Sequence, residues 1–137
     1  MKTAAKILLG NNYGKVLVLQ RSSTHPLYSL HLDFPGGLVD HDEDVSQAAV
    51  RELYEETSLV IQPKDLTKIM EIINGDTLHV LFTGQLDSEN PTITLSWEHA
   101  SYQWMSIDEL LTQKYPDGVD SYYKDAIEHI RKMYNKK

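Results

Sequence analysis

The stretch RELYEET at residues 51–57 sets three glutamates, Glu52, Glu55 and Glu56, beside Arg51. In a helix that advances about 100° per residue, the three carboxylates fall on one face. Like charges at that spacing oppose the helix by a few tenths of a kcal/mol, and each carboxylate near a C-terminus meets the wrong end of the macrodipole, for roughly another 0.3–1 kcal/mol. Two chemistries make such a face tolerable. One is a solvated acidic surface eased by Arg51, which stands one turn before Glu55. The other is a hard cation bound by oxygen ligands.

The rest of the chain narrows what such a site serves. Its 137 residues fit one domain, and 41% hydrophobic with 24% charged residues is a globular composition. With no cysteine there are no disulfides, zinc–thiolate centres or thiol nucleophiles. The histidines at 25, 31, 41, 79, 99 and 129 form no HxxxH pair, which disfavours zinc. A formal charge of −7 disfavours a nucleic-acid polymer as partner, because polymer binding needs a basic surface. AAKILLG near the start is too short to span a membrane and lacks the plan of a signal peptide, so a cytoplasmic protein with no membrane partner is expected.

The elements around the acidic face follow from periodicity and turn signals. Residues 3–9 and 15–20 are apolar runs split by NNYG, which predicts a β-hairpin. Residues 21–31 read as a polar loop, and LDFPGG at 32–37 as a short strand ending in a Pro-Gly-Gly break. Asp44 is expected to cap a helix, with Gln47 answering it; Val45, Ala48, Ala49 and Leu53 supply the apolar stripe, and the helix ends near Thr57 and Ser58. The runs 66–73 and 76–86 flank Asn74-Gly75, a strong hairpin signal. SYQWMSI at 101–107 reads as a strand that runs into a helix capped by Ser106 and Glu109. A last helix at 119–135 puts Tyr122, Ala126, Ile130 and Met133 on one side. Strands mixed with three helices predict an α/β layered domain.

Set in its context, the acidic stretch belongs to GLVDHDEDVSQAAVRELYEETSL, residues 37–59. This segment resembles the Nudix (MutT-like) hydrolases, whose box places a glycine, a glutamate and then R-E-U-x-E-E-x-G-U at fixed intervals, U being a bulky aliphatic. Gly37, Glu43, Arg51, Glu52, Leu53, Glu55, Glu56 and Leu59 match at the right spacing, and Phe34-Pro35-Gly36 is the family's usual lead-in. Ser58 departs, standing where the family has glycine. A left-handed residue closes such helices, and a side chain there costs about 1–2 kcal/mol.

The resemblance covers nearly all of residues 1–137 and implies one domain, a Nudix-type α/β/α sandwich with a mixed β-sheet. It implies Mg²⁺, or Mn²⁺, held by Glu52, Glu55, Glu56 and the carbonyl of Gly36. It also implies that Glu55 and Arg51 belong to the catalytic set, Arg51 orienting the glutamates through Glu43; a surface pair between Arg51 and Glu55 is the structural alternative. Water then attacks phosphorus with no covalent enzyme intermediate. Glu98 in WEHASYQW is the candidate general base or further ligand, against the alternative of an exposed loop glutamate; His99 is a weaker candidate. Arg21 and Tyr28 are candidates for substrate binding, Arg21 toward phosphate and Tyr28 as a stacking ring, together with Phe82, Trp97 and Tyr102. Trp104 is assigned to the core.

The expected function is Mg²⁺-dependent hydrolysis of a nucleoside diphosphate linked to another moiety, a nucleoside or deoxynucleoside triphosphate first. Dinucleoside polyphosphates, nucleotide sugars and ADP-ribose are the alternatives. The nucleotide-sugar and ADP-ribose branches often carry an N-terminal extension exchanged between subunits, and here the first strand is expected from residue 3. A non-catalytic nucleotide-binding domain is the alternative of another class, disfavoured because all the box glutamates are present. The isoprenoid isomerase branch is disfavoured by the lack of cysteine. Monomer and homodimer both stay open.

Overall fold

The computed structural model describes residues 1–24, 30–87 and 91–135, the side chains of 134 and 135 apart. Alternation along the first two strands builds a core on each side of a sheet. In β1 (Lys2–Gly10), Ala5, Ile7 and Leu9 enter one core and Leu8 the other. In β2 (Val16–Arg21), Leu17 and Leu19 divide in the same way from Val16 and Val18. Ala49 and Leu53 of α1 (Val45–Thr57) close the first core. Leu110 of α2 (Ile107–Thr112) and Tyr123, Ala126 and Ile130 of α3 (Asp120–Asn135) close the second. The result is the expected α/β/α sandwich. Among the described residues, no helix is long and apolar enough to cross a membrane.

Seven strands make the sheet. Its path runs β3 (Leu32–Asp33), β2, β1, β6 (Thr77–Gln85), β5 (Thr67–Asn74), with β4 (Gly36–Leu38) on β1 and β7 (His99–Met105) on β2. β1 runs parallel to β6 along its whole length, and the other pairings are antiparallel. The β5–β6 hairpin turns through Gly75 and Asp76, as Asn-Gly predicts. β7 starts at His99, two residues before the expected strand.

β1 and β2 register only at Gly10 with Val16. Past that point they part like a fork, with β4 lying along β1 and β3 along β2. LDFPGG occupies the fork. It is therefore two strands, one on each prong, rather than one strand and a break. Glycine is what lets the second of them form: Gly36 has φ +143°, and a Cβ there would lie 2.0 Å from the Ala5 carbonyl oxygen.

The helix ends behave as their residues predict. The Asp44 N–H donates to Gln47 Oε1 at 3.3 Å, and Ser106 and Glu109 bond reciprocally at 3.1 and 3.2 Å. Ser58 adopts the left-handed conformation at φ 67°, and its N–H donates to the Tyr54 carbonyl at 2.8 Å. Serine thus closes the helix at the position where the box it resembles has glycine.

Candidate functional site

After β4 the chain runs through residues 39–44 into α1, which packs back so that Glu52 and Glu56 lie against the two glycines. A Cβ on Gly37 would sit 2.7 Å from the Glu52 carboxyl carbon, so the bare backbone there is what admits that side chain. Arg51 gathers the surrounding acids. Its Nε and Nη2 donate to the two Glu43 oxygens at 2.8 and 3.1 Å, a bidentate fork. Nη1 donates to Glu52 Oε1 and to Glu55, each at 3.2 Å, and Nη2 also donates to the Leu38 carbonyl at 3.1 Å. Both sequence readings of Arg51 therefore hold at once: it pairs with Glu43 and with Glu55. The Arg51 hydrogen bonds hold the Glu43 carboxyl below its ordinary range, and burial pushes Glu52 up.

The acidic face is less uniform than the helical wheel implies. The Glu55 side chain is 54% exposed, whereas Glu56, one residue on, is 4% exposed. Glu56 Oε1 accepts the Gly36 N–H at 2.7 Å, and Oε2 lies 3.9 Å from His99 Nε2. Burial pushes the Glu56 carboxyl up to about 8, against the pull of Lys6. Among the described residues, no three His, Asp or Glu side chains converge at metal-holding distance; Glu52 and Glu55 lean on Arg51 instead. The donor set still fits a hard divalent cation. The Gly36 carbonyl and the three carboxylates are all oxygen donors, the space beside Gly37 has no Cβ to fill it, and Glu56 is a buried acid beside the Gly36 backbone.

A second cluster lies across the two glycines. Asp33 is buried, and its Oδ2 accepts from Arg21 Nη2 at 2.7 Å and from Lys6 Nζ at 3.4 Å. Its Oδ1 accepts from the Tyr123 hydroxyl at 2.9 Å and the Phe34 N–H at 2.8 Å. Burial pushes Asp33 upward, but Lys6, Arg21 and the hydrogen bonds from Arg21 and Tyr123 outweigh it and hold the carboxyl below its ordinary value. Lys6 also donates to the Gly36 carbonyl at 3.4 Å. The cluster ties β1, β2, β3 and α3 together at the mouth of the fork.

The other expected site residues divide. The segment carrying Glu98 docks on the end of α1: the Ser96 N–H donates to the Glu56 carbonyl at 3.2 Å, and the Glu98 carbonyl accepts from Ser22 at 2.9 Å. Arg21 is engaged with Asp33 inside the fork rather than standing at a bare strand end. Phe82 is a correction, since it is buried in the α1-side core and has no face for a base. Trp97 and Tyr102 are exposed, and Trp104 packs against the α1-side core as assigned. Tyr28 lies outside the described residues. Sequence reasoning missed Lys6, Asp33 and Tyr123. The available signal was Lys6 itself, a charge in the middle of a buried strand.

Comparison with known proteins bears on the fold and the family. A profile of the NUDIX domain matches residues 1–126. The phosphatase NudJ of Escherichia coli K12 is 32% identical over 80 residues, covering 56% of this chain and 52% of NudJ. The chain thus spans about half the length of the curated relatives it matches. A MutT protein from Methanosarcina mazei Go1 superposes with TM-score 0.77 at 27% identity, over 99% of this chain and 96% of that one. A C. elegans Ap4A hydrolase shares the fold over the full length of both chains, with TM-score 0.77 at 20% identity.

Proposed function

Since the chain belongs to the NUDIX domain family, we propose that it is a Mg²⁺-dependent pyrophosphohydrolase acting on a nucleoside diphosphate linked to another moiety, a nucleoside or deoxynucleoside triphosphate first. The observation that carries this reading is the arrangement of Glu52 and Glu56 against Gly37 and Gly36, with Arg51 fixing Glu52 and Glu55 from outside. Glu52, Glu55, Glu56 and the Gly36 carbonyl are the residues that would hold Mg²⁺ or Mn²⁺. When bound there, such an ion supplies the positive charge that neutralises a diphosphate and acidifies water.

The chain's own side chains do the rest. Water attacks one phosphorus, the bond from that phosphorus to the bridging oxygen breaks, and the electron pair leaves on the departing phosphate. The proton of the water goes to a carboxylate, for which Glu98 and Glu55 are the candidates. Arg51, clamped to Glu43, positions Glu52 and Glu55. Arg21 faces the substrate's phosphates, and Tyr28 is kept as a candidate for the base. The proposal also takes residues 1–137 as one cytoplasmic domain working on a small molecule, with no nucleic-acid polymer as partner.

The test is a phosphate-release screen across nucleoside triphosphates, nucleotide sugars, ADP-ribose and dinucleoside polyphosphates. Turnover that EDTA abolishes and Mg²⁺ or Mn²⁺ restores is the expected result. Undiminished turnover in EDTA sinks the metal-dependent reading, and the preferred substrate decides among the nucleotide classes.

A further inference from the structure

A cavity of about 430 Å³ opens at the fork. Gly37 and Leu38 of the acidic box form one side of it, and Lys6, Arg21, Asp33 and Tyr123 another. Gly37 separates it from the Glu52 carboxylate, so whatever fills the cavity adjoins the acidic cluster. Resting on the hydrolase reading above, we propose that Lys6 and Arg21 form a subsite for a phosphate beyond the two joined by the cleaved bond. The chain then selects substrates whose further moiety is anionic over those in which it is an uncharged sugar.

The charge count is the first argument. Two cations meet one carboxylate, Arg21 at 2.7 Å and Lys6 at 3.4 Å from the same Asp33 oxygen, so these contacts set two positive charges against one negative, with Glu52 and Glu56 drawing on Lys6 as well. Lys2 adds another positive charge to the lining, and Asp117 a negative one. A positive wall on a chain of net charge −7 attracts anions locally where the rest of the surface repels them.

Geometry is the second. Tyr123 and the Phe34 N–H hold Asp33 Oδ1 at 2.9 and 2.8 Å, so the carboxylate that carries both cations is fixed before any ligand arrives. Lys6 has three ammonium protons, and both of its hydrogen bonds, to Asp33 and the Gly36 carbonyl, are long at 3.4 Å. A phosphate oxygen competes for such a donor because it can approach to about 2.8 Å, the ordinary length of a charge-assisted contact, which neither present partner does.

The lining is the third. Tyr123 and His79 are the aromatic rings among the described residues of the cavity, and Tyr123 is buried with its hydroxyl committed to Asp33. A nucleobase is held chiefly by stacking on an exposed ring; here Lys2, Lys6 and Arg21 belong to the polar part of the walls, and Leu38, Pro116 and Val119 to the apolar part.

Two measurements test the proposal. The first is calorimetric titration of the metal-free protein, in EDTA, with inorganic tripolyphosphate and with orthophosphate. Native protein should bind tripolyphosphate, Lys6→Gln should bind it at least about tenfold more weakly, and Lys6→Arg should recover most of the loss. Failure of the native protein to bind, or equal binding by Lys6→Gln with an unchanged melting temperature, overturns the subsite and leaves the cluster as a clamp of the fork. Should Lys6→Gln not fold, the native and Lys6→Arg titrations still decide, since absence of binding in both refutes the idea.

The second measurement compares kcat/KM for a nucleoside triphosphate with that for a nucleotide sugar of the same base. The native enzyme should favour the triphosphate, and Lys6→Gln should lose at least about tenfold more on the triphosphate than on the sugar. An undiminished preference in the variant overturns the assignment. A protein that binds tripolyphosphate but turns over no nucleotide keeps the subsite and refutes the hydrolase reading instead.

Discussion

Two charge clusters face each other across Gly36 and Gly37, and they are built in opposite senses. On the α1 side one guanidinium serves three carboxylates within 3.2 Å, Glu43, Glu52 and Glu55, with Asp40 at 3.5 Å, so negative charge is in excess. Inside the fork one carboxylate serves two cations, so positive charge is in excess. A cluster kept only for stability tends toward balance, because burying uncompensated charge costs several kcal/mol. Under the two proposals above, the acidic side would serve the cation and the fork the phosphates. The clusters differ in exposure as well. Ion pairs around Arg51 reach solvent and contribute little to stability, whereas Asp33 is sealed in and holds four elements together.

The contrast breaks most sharply at Glu56. Glu56→Gln should lower kcat by about three orders of magnitude or more, roughly 4 kcal/mol of transition-state stabilisation, if the carboxylate serves a cation. Apo stability should be kept or raised. Burial puts this carboxyl at about 8 in the folded chain against an ordinary 4.5, so the proton is bound more tightly in the fold. Its contribution to stability is complete below pH 4.5 and is lost as pH rises through about 8. Thermal unfolding in EDTA should therefore show native stability falling across that window, by up to ~1.4 kcal/mol per pH unit, and a shallower fall for Glu56→Gln, in which the raised Glu52 still contributes. Mg²⁺ should raise the melting temperature of the native protein more than that of the variant. Normal turnover in Glu56→Gln, or loss of the apo fold, assigns Glu56 to structure.

Next in size is Asp33→Asn, which removes the hub of the cationic cluster. Two cations left without their carboxylate should cost about 3–5 kcal/mol in urea unfolding. The native carboxyl lies below its ordinary value of 3.8, so the stability it confers is present above pH 3.8 and lost as pH falls through the depressed value. A loss under about 1 kcal/mol would show that the fork does not depend on Asp33.

Arg51→Lys attacks the hub of the acidic cluster and should behave the opposite way. Lysine keeps the charge but cannot hold Glu43 bidentately while reaching Glu52 and Glu55. We expect kcat/KM to fall about 10- to 100-fold with little change in melting temperature. A large loss of stability with normal kinetics would reverse the roles assigned to the two clusters. Ser58→Gly touches neither cluster and is the smallest effect: relief of the left-handed serine should stabilise by about 0.5–1 kcal/mol in urea unfolding with kcat unchanged.

Much of the site was legible because it is local. The caps at Asp44 and Ser106, the Gly75 hairpin and the Glu43–Arg51 pair lie within eight residues of their partners, and spacing along a helix or turn dictates who meets whom. Helical spacing also places Glu52, Glu55 and Glu56 on a common face, but the different exposures of Glu55 and Glu56 depend on what packs there. Phe82 was misread for the same reason: an aromatic in a strand serves ligand or core according to which face the α1-side core covers.

From the sequence alone come the elements, their caps, the family likeness and the inventory of charges along α1, all set by short-range hydrogen bonding and periodicity. The fork in the sheet was decided by tertiary structure, through a glycine whose missing Cβ lets β4 lie against Ala5. So was the meeting of Lys6 with Asp33 and of Asp33 with Tyr123, 27 and 90 residues apart in the chain. So too was the burial that raises Glu56 and seals Asp33. The reason is that desolvation and ion pairing depend on distances through space, and no local pattern encodes which distant segment will remove the water from a given charge.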